Sequence, residues 1–322
     1  MMYSNRMKRM RFVKRKAALV LLSILWTIVS FSGHIKCEEQ LQAADDTIIT
    51  INRPDSTVEI AVDGGTVDPK LKGFRLVQKL PRGVWYGEGE RLDFSIQYGL
   101  IYAGNATMEI RNIAEFDGLK AYHIMSVART NEVFDLIYKV RDRVESFMDY
   151  DNLFSVKFEK HLREGRYRKD ENVVFDQKNH YAIYRDKRLK IAPRTQDFLS
   201  AFYYIRTLDL EVGEAVAMAN HTSGKNYPIY IKVLRRQRVS VPAGEFDCIE
   251  IEPVLQTSTI FEQKGRLTIW LTDDNLKMPV MMRSKVIVGA FEAVLKDYKL
   301  SSDEKRIFVY EKADGQKEDS GG

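Results

Sequence analysis

Residues 92–110 read LDFSIQYGLIYAGNATMEI, and apolar and polar positions alternate along them. Leu92, Phe94, Ile96 and Tyr98 fall on one side of an extended chain, Asp93, Ser95 and Gln97 on the other. Past two glycines the alternation resumes, with Ala106, Met108 and Ile110 set against Asn105, Thr107 and Glu109. Period two marks half-buried strands. Runs of the same texture cover 106–112, 120–128, 137–149, 154–162, 167–175 and 181–185, then 227–233, 238–241, 246–254, 266–272, 280–288 and 290–298. Many are separated by turn-forming pairs such as Asp117-Gly118, Asp151-Asn152 and Glu164-Gly165. Links this short predict an antiparallel meander. At Pro242-Ala243-Gly244 the pattern predicts a turn with Gly244 at positive φ.

One stretch breaks the β pattern. In residues 195–214, Asp197 can cap a helix in which Phe198, Ala201, Phe202 and Ile205 recur at i, i+3, i+4 and i+7. Phe198, Phe202, Tyr203 and Tyr204 crowd three or four rings onto barely two turns, more than one face can bury, so ring surface must meet further protein or a ligand. The oily face of residues 92–110 is expected to cover this helix. Residues 37–83 read as a loosely attached extension with one hairpin, and residues 299–322 as a frayed, charged tail.

At 322 residues, with 44% hydrophobic content, the chain can bury a sizeable core. Its formal charge of +5 comes from the start, where eight basic residues face no acid before Glu38; without residues 1–36 the charge is −3, which gives no case for a nucleic-acid partner. That start is a basic segment followed by an apolar run over residues 17–31. Fifteen residues of helix reach about 22 Å, short of the roughly 30 Å hydrocarbon core. The leader therefore reads as a secretory signal, cleaved between about Ser32 and Ala44, with an uncleaved membrane anchor as the alternative. Cys37 and Cys248 form no disulfide framework; Cys248 sits in a strand-like run, where a lone cysteine acts as a small buried hydrophobe.

No reaction is written in the motifs. His34, His123, His161, His180 and His221 are scattered singly without HExxH or CxxC, so no metal site is expected, and no GxSxG is present. Acid pairs such as Glu250 with Glu252 and Asp273 with Asp274 fit solvated strand faces, and the basic runs 235–238 and 163–169 fit solvated strand ends. The expectation is a protein that is not an enzyme, with no catalytic residues and no cofactor.

Four motifs carry a resemblance. Tyr98 with Ala103-Gly104, the segment DFLSAFYYIR at 197–206, VPAGEF at 241–246, and IWLTDD at 269–274 followed by Pro279-Val280 occur in this order. Over roughly residues 84–298 they resemble the bacterial exported family called domain of unknown function 3108. The resemblance implies an exported, periplasmic protein of no established activity. By analogy of fold it points to the lipoprotein-carrier type, in which a curved antiparallel sheet wraps a helix and holds an acyl chain. Pattern and resemblance together predict a mainly β chain: a large curved antiparallel sheet, half-barrel or open barrel, around one short helix. The organisation that follows is a signal peptide at 1–36, an extension at 37–83, a half-barrel domain at 84–298 and a flexible tail at 299–322. The expected function is a periplasmic binding module for a lipid or other hydrophobic envelope component, with Phe94, Tyr98, Phe198, Phe202, Tyr203, Tyr204 and Trp270 lining the ligand space. A non-catalytic structural or assembly protein with a filled core, whose partner is another envelope protein, is the alternative.

Overall fold

The computed structural model describes residues 57–59, 71–255, 266–285, 289–303 and 305–307. The expected signal peptide, Cys37 and the tail beyond 307 lie outside the described residues. Among those described, sixteen strands form one sheet. Across it they run Thr57–Glu59, Arg75–Lys79, Glu214–Met218, Ile229–Val241, Gly244–Leu255, Arg266–Thr272, Pro279–Lys285, Ala290–Lys299, Arg91–Tyr98, Ile101–Phe116, Leu119–Thr130, Arg141–Asp149, Ser155–Glu164, Tyr167–Asp176, Tyr181–Tyr184 and Lys187–Lys190. The sheet is largely a meander with two long-range joins: Arg75–Lys79 pairs parallel with Glu214–Met218, and Ala290–Lys299 pairs antiparallel with Arg91–Tyr98, so the late strands close onto the early ones. Its two ends do not pair, and the chain is an open half-barrel with a short helix.

Alternation in the sequence becomes two faces. Leu92, Phe94, Ile96, Ala106, Met108 and Ile110 are all buried in the one large core, and their polar neighbours face outward. Register shifts at Ile96/Gln97, Ile110/Asn112, Phe147/Met148, Val233/Arg235, Trp270/Leu271 and Leu295/Asp297 place an extra residue in one strand of each pair. Bulges of this kind bend a strand and raise its twist, which curls a wide sheet around a core. Gly104 shows how tight one of them is, because a Cβ there would lie 2.1 Å from the Arg129 carbonyl oxygen.

Three departures from the sequence reading are informative. The extension is not loose between residues 75 and 79: Arg75–Lys79 lies parallel to Glu214–Met218, and both Arg75 and Lys79 ion-pair with the buried Glu214 carboxylate. The tail is not wholly frayed, since Arg306–Ile307 pairs with Gly83–Val84. The strand expected from residue 137 begins only at Arg141, after a one-turn helix, Glu132–Asp135, capped by Asn131. Asn131 wins because its side chain accepts from the Phe134 N–H, the local bond that draws Asn away from strands.

Val241 pairs with Gly244 across the Pro242-Ala243 turn, and Gly244 has φ +138°. A Cβ at Gly244 would meet nothing nearer than the Phe246 ring at 3.7 Å, so the cost of any side chain is conformational. Gly244→Val should therefore destabilise the protein by about 1–3 kcal/mol in urea unfolding. An unchanged midpoint would remove the turn as a source of strain.

Candidate functional site

The helix Phe198–Ile205 is fixed at both ends by buried charge. At its start, one carboxylate oxygen of Asp197 accepts from the N–H groups of Leu199 at 2.7 Å and Ser200 at 2.9 Å, and the Ser200 hydroxyl accepts from Asp197 N–H at 3.0 Å. This is a reciprocal capping box. The other oxygen accepts from the Ser146 hydroxyl at 2.6 Å and from the Ser155 hydroxyl. Both serines lie on sheet strands, so one aspartate caps the helix and bolts it to the sheet. Burial pushes the Asp197 carboxyl above its ordinary value even though four donors pull it down.

At the other end Arg206 and Glu90, both wholly buried, form a bidentate pair at 2.7 and 2.9 Å. The guanidinium also lies against the rings of Tyr86 and Tyr203, 4.9 and 5.0 Å from their centroids. Burial draws the Arg206 pKa down, but the Glu90 carboxylate more than offsets it and the charge is held. From Tyr86 an aromatic path continues to Tyr122 at 5.7 Å and Tyr150 at 4.9 Å, and ends where Arg306 stacks on Tyr150 at 3.8 Å. Neither Glu90 nor Arg306 stood out in the sequence. Glu90 sits among ordinary acids before a strand, and only the fold brings it to a residue 116 positions away.

Of the seven residues expected to line a ligand space, Phe94, Tyr203 and Tyr204 lie in the one large core with Tyr98, Phe198 and Phe202 packed against it, and Trp270 lies apart. Phe94 and Tyr203 have 0% accessible surface, so not even a water-sized sphere touches either ring, from outside or from within. Tyr204 is buried with its hydroxyl donating to the Lys79 carbonyl at 3.2 Å. Phe198 and Phe202 are half-buried against the core, Phe198 edge-on to Phe158 at 6.3 Å. Tyr98 packs on Phe291 at 4.7 Å, far along the sheet. Trp270 is on the opposite face: Ile269 and Leu271 enter the main core, while Trp270 joins Val239, Cys248 and Val280 in a separate outer cluster. The helix lies closest to Arg141–Asp149 rather than to residues 92–110. Those residues share the core with it, and Glu90, two residues before them, pairs with Arg206 just past its end.

Trp270 borders an open groove of ≈ 400 Å³ with Arg235, Glu250, Arg266, Thr268 and Arg283. Its cations are largely spoken for: Arg235 bonds Glu250 at 2.7 Å, Arg283 bonds Glu292 at 2.6 Å, and Arg266 pairs with Glu252. Burial pushes the Cys248 thiol up to about 12, so it stays protonated and unreactive. A second outer cluster joins Glu145, Glu159 and His161, whose ligand-type atoms lie within 4.8 Å of one another. Two carboxylates and an imidazole are a donor set that a cation can use, but each is engaged already. Glu145 bonds His123 at 2.6 Å and Arg143 at 3.1 Å, Glu159 bonds Lys157 at 2.7 Å, and His161 bonds Asp170 at 2.7 Å. Glu145 and Glu159 are direct cross-strand partners, and Arg143 and Lys157 offset a like-charge pair that would otherwise destabilise the sheet.

A model of the family described as "Protein of unknown function (DUF3108)" matches residues 93–296. The chain belongs to that family. No curated protein matches it. Solved structures similar to this DUF3108 protein include a β-barrel-like protein of domain of unknown function DUF1849 from Brucella abortus, at 8% identity, 68% of this chain, 100% of that chain and a TM-score of 0.46. A candidate lipoprotein from Parabacteroides distasonis is similar at 11% identity, 69% of this chain, 100% of that chain and a TM-score of 0.32. A candidate exported protein with a YmcC-like fold from Bacteroides fragilis is similar at 11% identity, 68% of this chain, 100% of that chain and a TM-score of 0.27. With scores below 0.5, they bear on neither site nor activity.

Two outcomes test the buried charges of this DUF3108 protein. Glu90→Gln strands the Arg206 guanidinium in the core and should cost about 3–5 kcal/mol, whereas Glu90→Met with Arg206→Met should cost less than the single change. Urea unfolding of both variants checks this; a double variant weaker than the single one would mean that the pair itself, not its neutrality, holds the helix.

The buried acids Asp142 and Glu164 respond to pH. Burial raises Asp142 to about 6, and burial together with repulsion from Asp142 raises Glu164 to about 8; Arg163, through its N–H and its charge, pulls Asp142 down. Unfolded carboxyls titrate near ~4. The folded chain therefore keeps protons that the unfolded chain has released, and this part of the stability, full below about pH 4, is lost as pH rises through 6 and 8. The melting temperature should fall over that range, and Glu164→Gln should flatten the fall. An equally steep profile in the variant would place the titration elsewhere.

Proposed function

We propose that this DUF3108 protein is an exported envelope protein without catalytic activity, a scaffold whose half-barrel is filled by its own side chains and which works through its outer surfaces. The observation that carries this reading is the complete burial of Phe94 and of Tyr203, the latter beside the Glu90–Arg206 pair. An acyl-chain site needs apolar walls with free space beside them. Rings with no accessible surface leave none, and a buried ion pair is a poor neighbour for a hydrocarbon tail. Export is supported by the leader, whose basic start and short apolar run fit a secretory signal. No described helix is long and apolar enough to cross a membrane.

A filled core also fits the edges. The last strand of the sheet, Lys187–Lys190, carries Lys187, Arg188 and Lys190 on an exposed edge, a charge pattern that blocks pairing with another strand. Contact with partners therefore falls to the sheet faces and loop ends rather than to strand addition there.

A fluorescent fatty acid tests the reading. The protein purified from its own envelope should show no co-purifying acyl species by native mass spectrometry and no uptake of the probe. Phe94→Ala should destabilise by about 3–5 kcal/mol, the cost of deleting a fully packed ring. Saturable probe uptake that Phe202→Ala abolishes would restore the carrier function and overturn the scaffold.

A further inference from the structure

Six large apolar side chains stand in water at one end of the sheet. Leu100, at the apex of the Tyr98–Ile101 turn, is 104% exposed, Ile101 57% and Tyr102 45%; Val133 is 68%, Leu136 85% and Ile137 46%. The two segments are joined by bonds from Asn131, whose N–H donates to the Ala103 carbonyl at 2.9 Å and whose side-chain amide donates to the Tyr102 carbonyl at 2.8 Å. They form one projection.

Nothing in the fold requires these positions to be apolar. The loop that carries Val133, Leu136 and Ile137 is held from beneath by Phe134 and Tyr138, which pack against the core, and by Asp135, which bonds Arg141. Polar side chains at the exposed positions would leave that support intact and spare the exposure of oily surface, so the patch calls for an apolar acceptor. Around it stand four exposed cations, Arg129, Lys139, Arg166 and Arg168, none of which makes a close ion pair among the described residues; Lys139 acts on the Asp135 carboxylate at longer range, and Arg168 bonds the Gly165 and Tyr167 carbonyls. The Gly165 turn reaches the patch through its N–H, bonded to the Lys139 carbonyl at 2.7 Å. Glu132 is the one exposed acid on the loop.

We propose that this end of the half-barrel docks peripherally on a bilayer that contains anionic phospholipid, with Leu100 and Leu136 entering the interface and the four cations meeting the headgroups. A projecting apex suits a fluid acceptor that closes around each side chain, and Tyr102 has the amphipathic form favoured at headgroup depth. Exposed cations beside an apolar tip match a negatively charged lipid surface and predict sensitivity to salt. This goes beyond the filled-core scaffold and does not depend on it.

The test is co-sedimentation of the full chain with vesicles of phosphatidylcholine alone or mixed with phosphatidylglycerol. Binding to the mixed vesicles should exceed binding to phosphatidylcholine by about tenfold, and Leu100→Asp with Leu136→Asp should lower it by about tenfold. Lys139→Glu with Arg166→Glu should lower it as well and abolish its salt dependence. The melting temperature of each variant serves as the folding control, and Leu100→Ser with Leu136→Ser replaces the aspartates if they unfold the chain. Equal binding by wild type and variants, or no binding to either vesicle, overturns the proposal. So does self-association by analytical ultracentrifugation that the double aspartate variant loses, because the patch would then cover a second copy.

Discussion

The buried pair of Glu90 and Arg206 sets the terms for the rest of the molecule. A guanidinium and a carboxylate taken wholly out of water are tolerable only when each finds the other in good geometry and the remaining donors are met. Here the fork is bidentate, Nε donates to the Leu276 carbonyl at 3.3 Å, and two tyrosine rings face the cation. The pair joins the segment just before the first long strand to the end of the only long helix among the described residues. With Asp197 anchored on Ser146 and Ser155 at the opposite end, the helix is held by directional polar contacts at both ends. Hydrophobic packing alone would let it slide or turn; directional charge does not.

That fixing decides what the chamber can hold. A wide sheet curled by bulges could enclose a ligand cavity, as larger barrels do. In this chain the helix buries Tyr203 and Tyr204 on that side of the sheet, and Phe94 and Tyr203 retain no accessible surface. The outer face carries the contrasting chemistry: ladders of Arg, Lys, Glu and His that pair across strands, with the small cluster around Trp270. Apolar surface left outside is accordingly conspicuous where it gathers, at the Leu100 and Leu136 end.

Much of the architecture was legible in the chain. Period-two alternation at Leu92, Phe94 and Ile96 and at Met108 and Ile110 put those residues inside, and short turn signals gave the meander, because side-chain direction in a strand is local geometry. Asp197 as a cap, the Val241–Gly244 turn and Cys248 as a small buried residue were equally local. The site was much less legible. Trp270 looked like Phe94 in the sequence because both sit in alternating strands, and the register shift at Trp270/Leu271 lies beside it; one residue of register changes the face. The strand Arg75–Lys79 read as a loose extension because its partner, Glu214–Met218, lies far along the chain.

The sequence by itself determined the class of the protein: strand after strand with one aromatic helix, a basic and apolar leader, and four ordered motifs that mark its family. These are matters of period, composition and short spacing, which neighbouring residues settle among themselves. Only the tertiary structure decided that Phe94 and Tyr203 are wholly buried, that Glu90 rather than another acid meets Arg206, that Arg306 returns to stack on Tyr150, and that Leu100 and Leu136 are both exposed. Each of these depends on which distant strands are neighbours and on how far the sheet curls. Burial and charge pairing are properties of three-dimensional surroundings, and no local pattern fixes them.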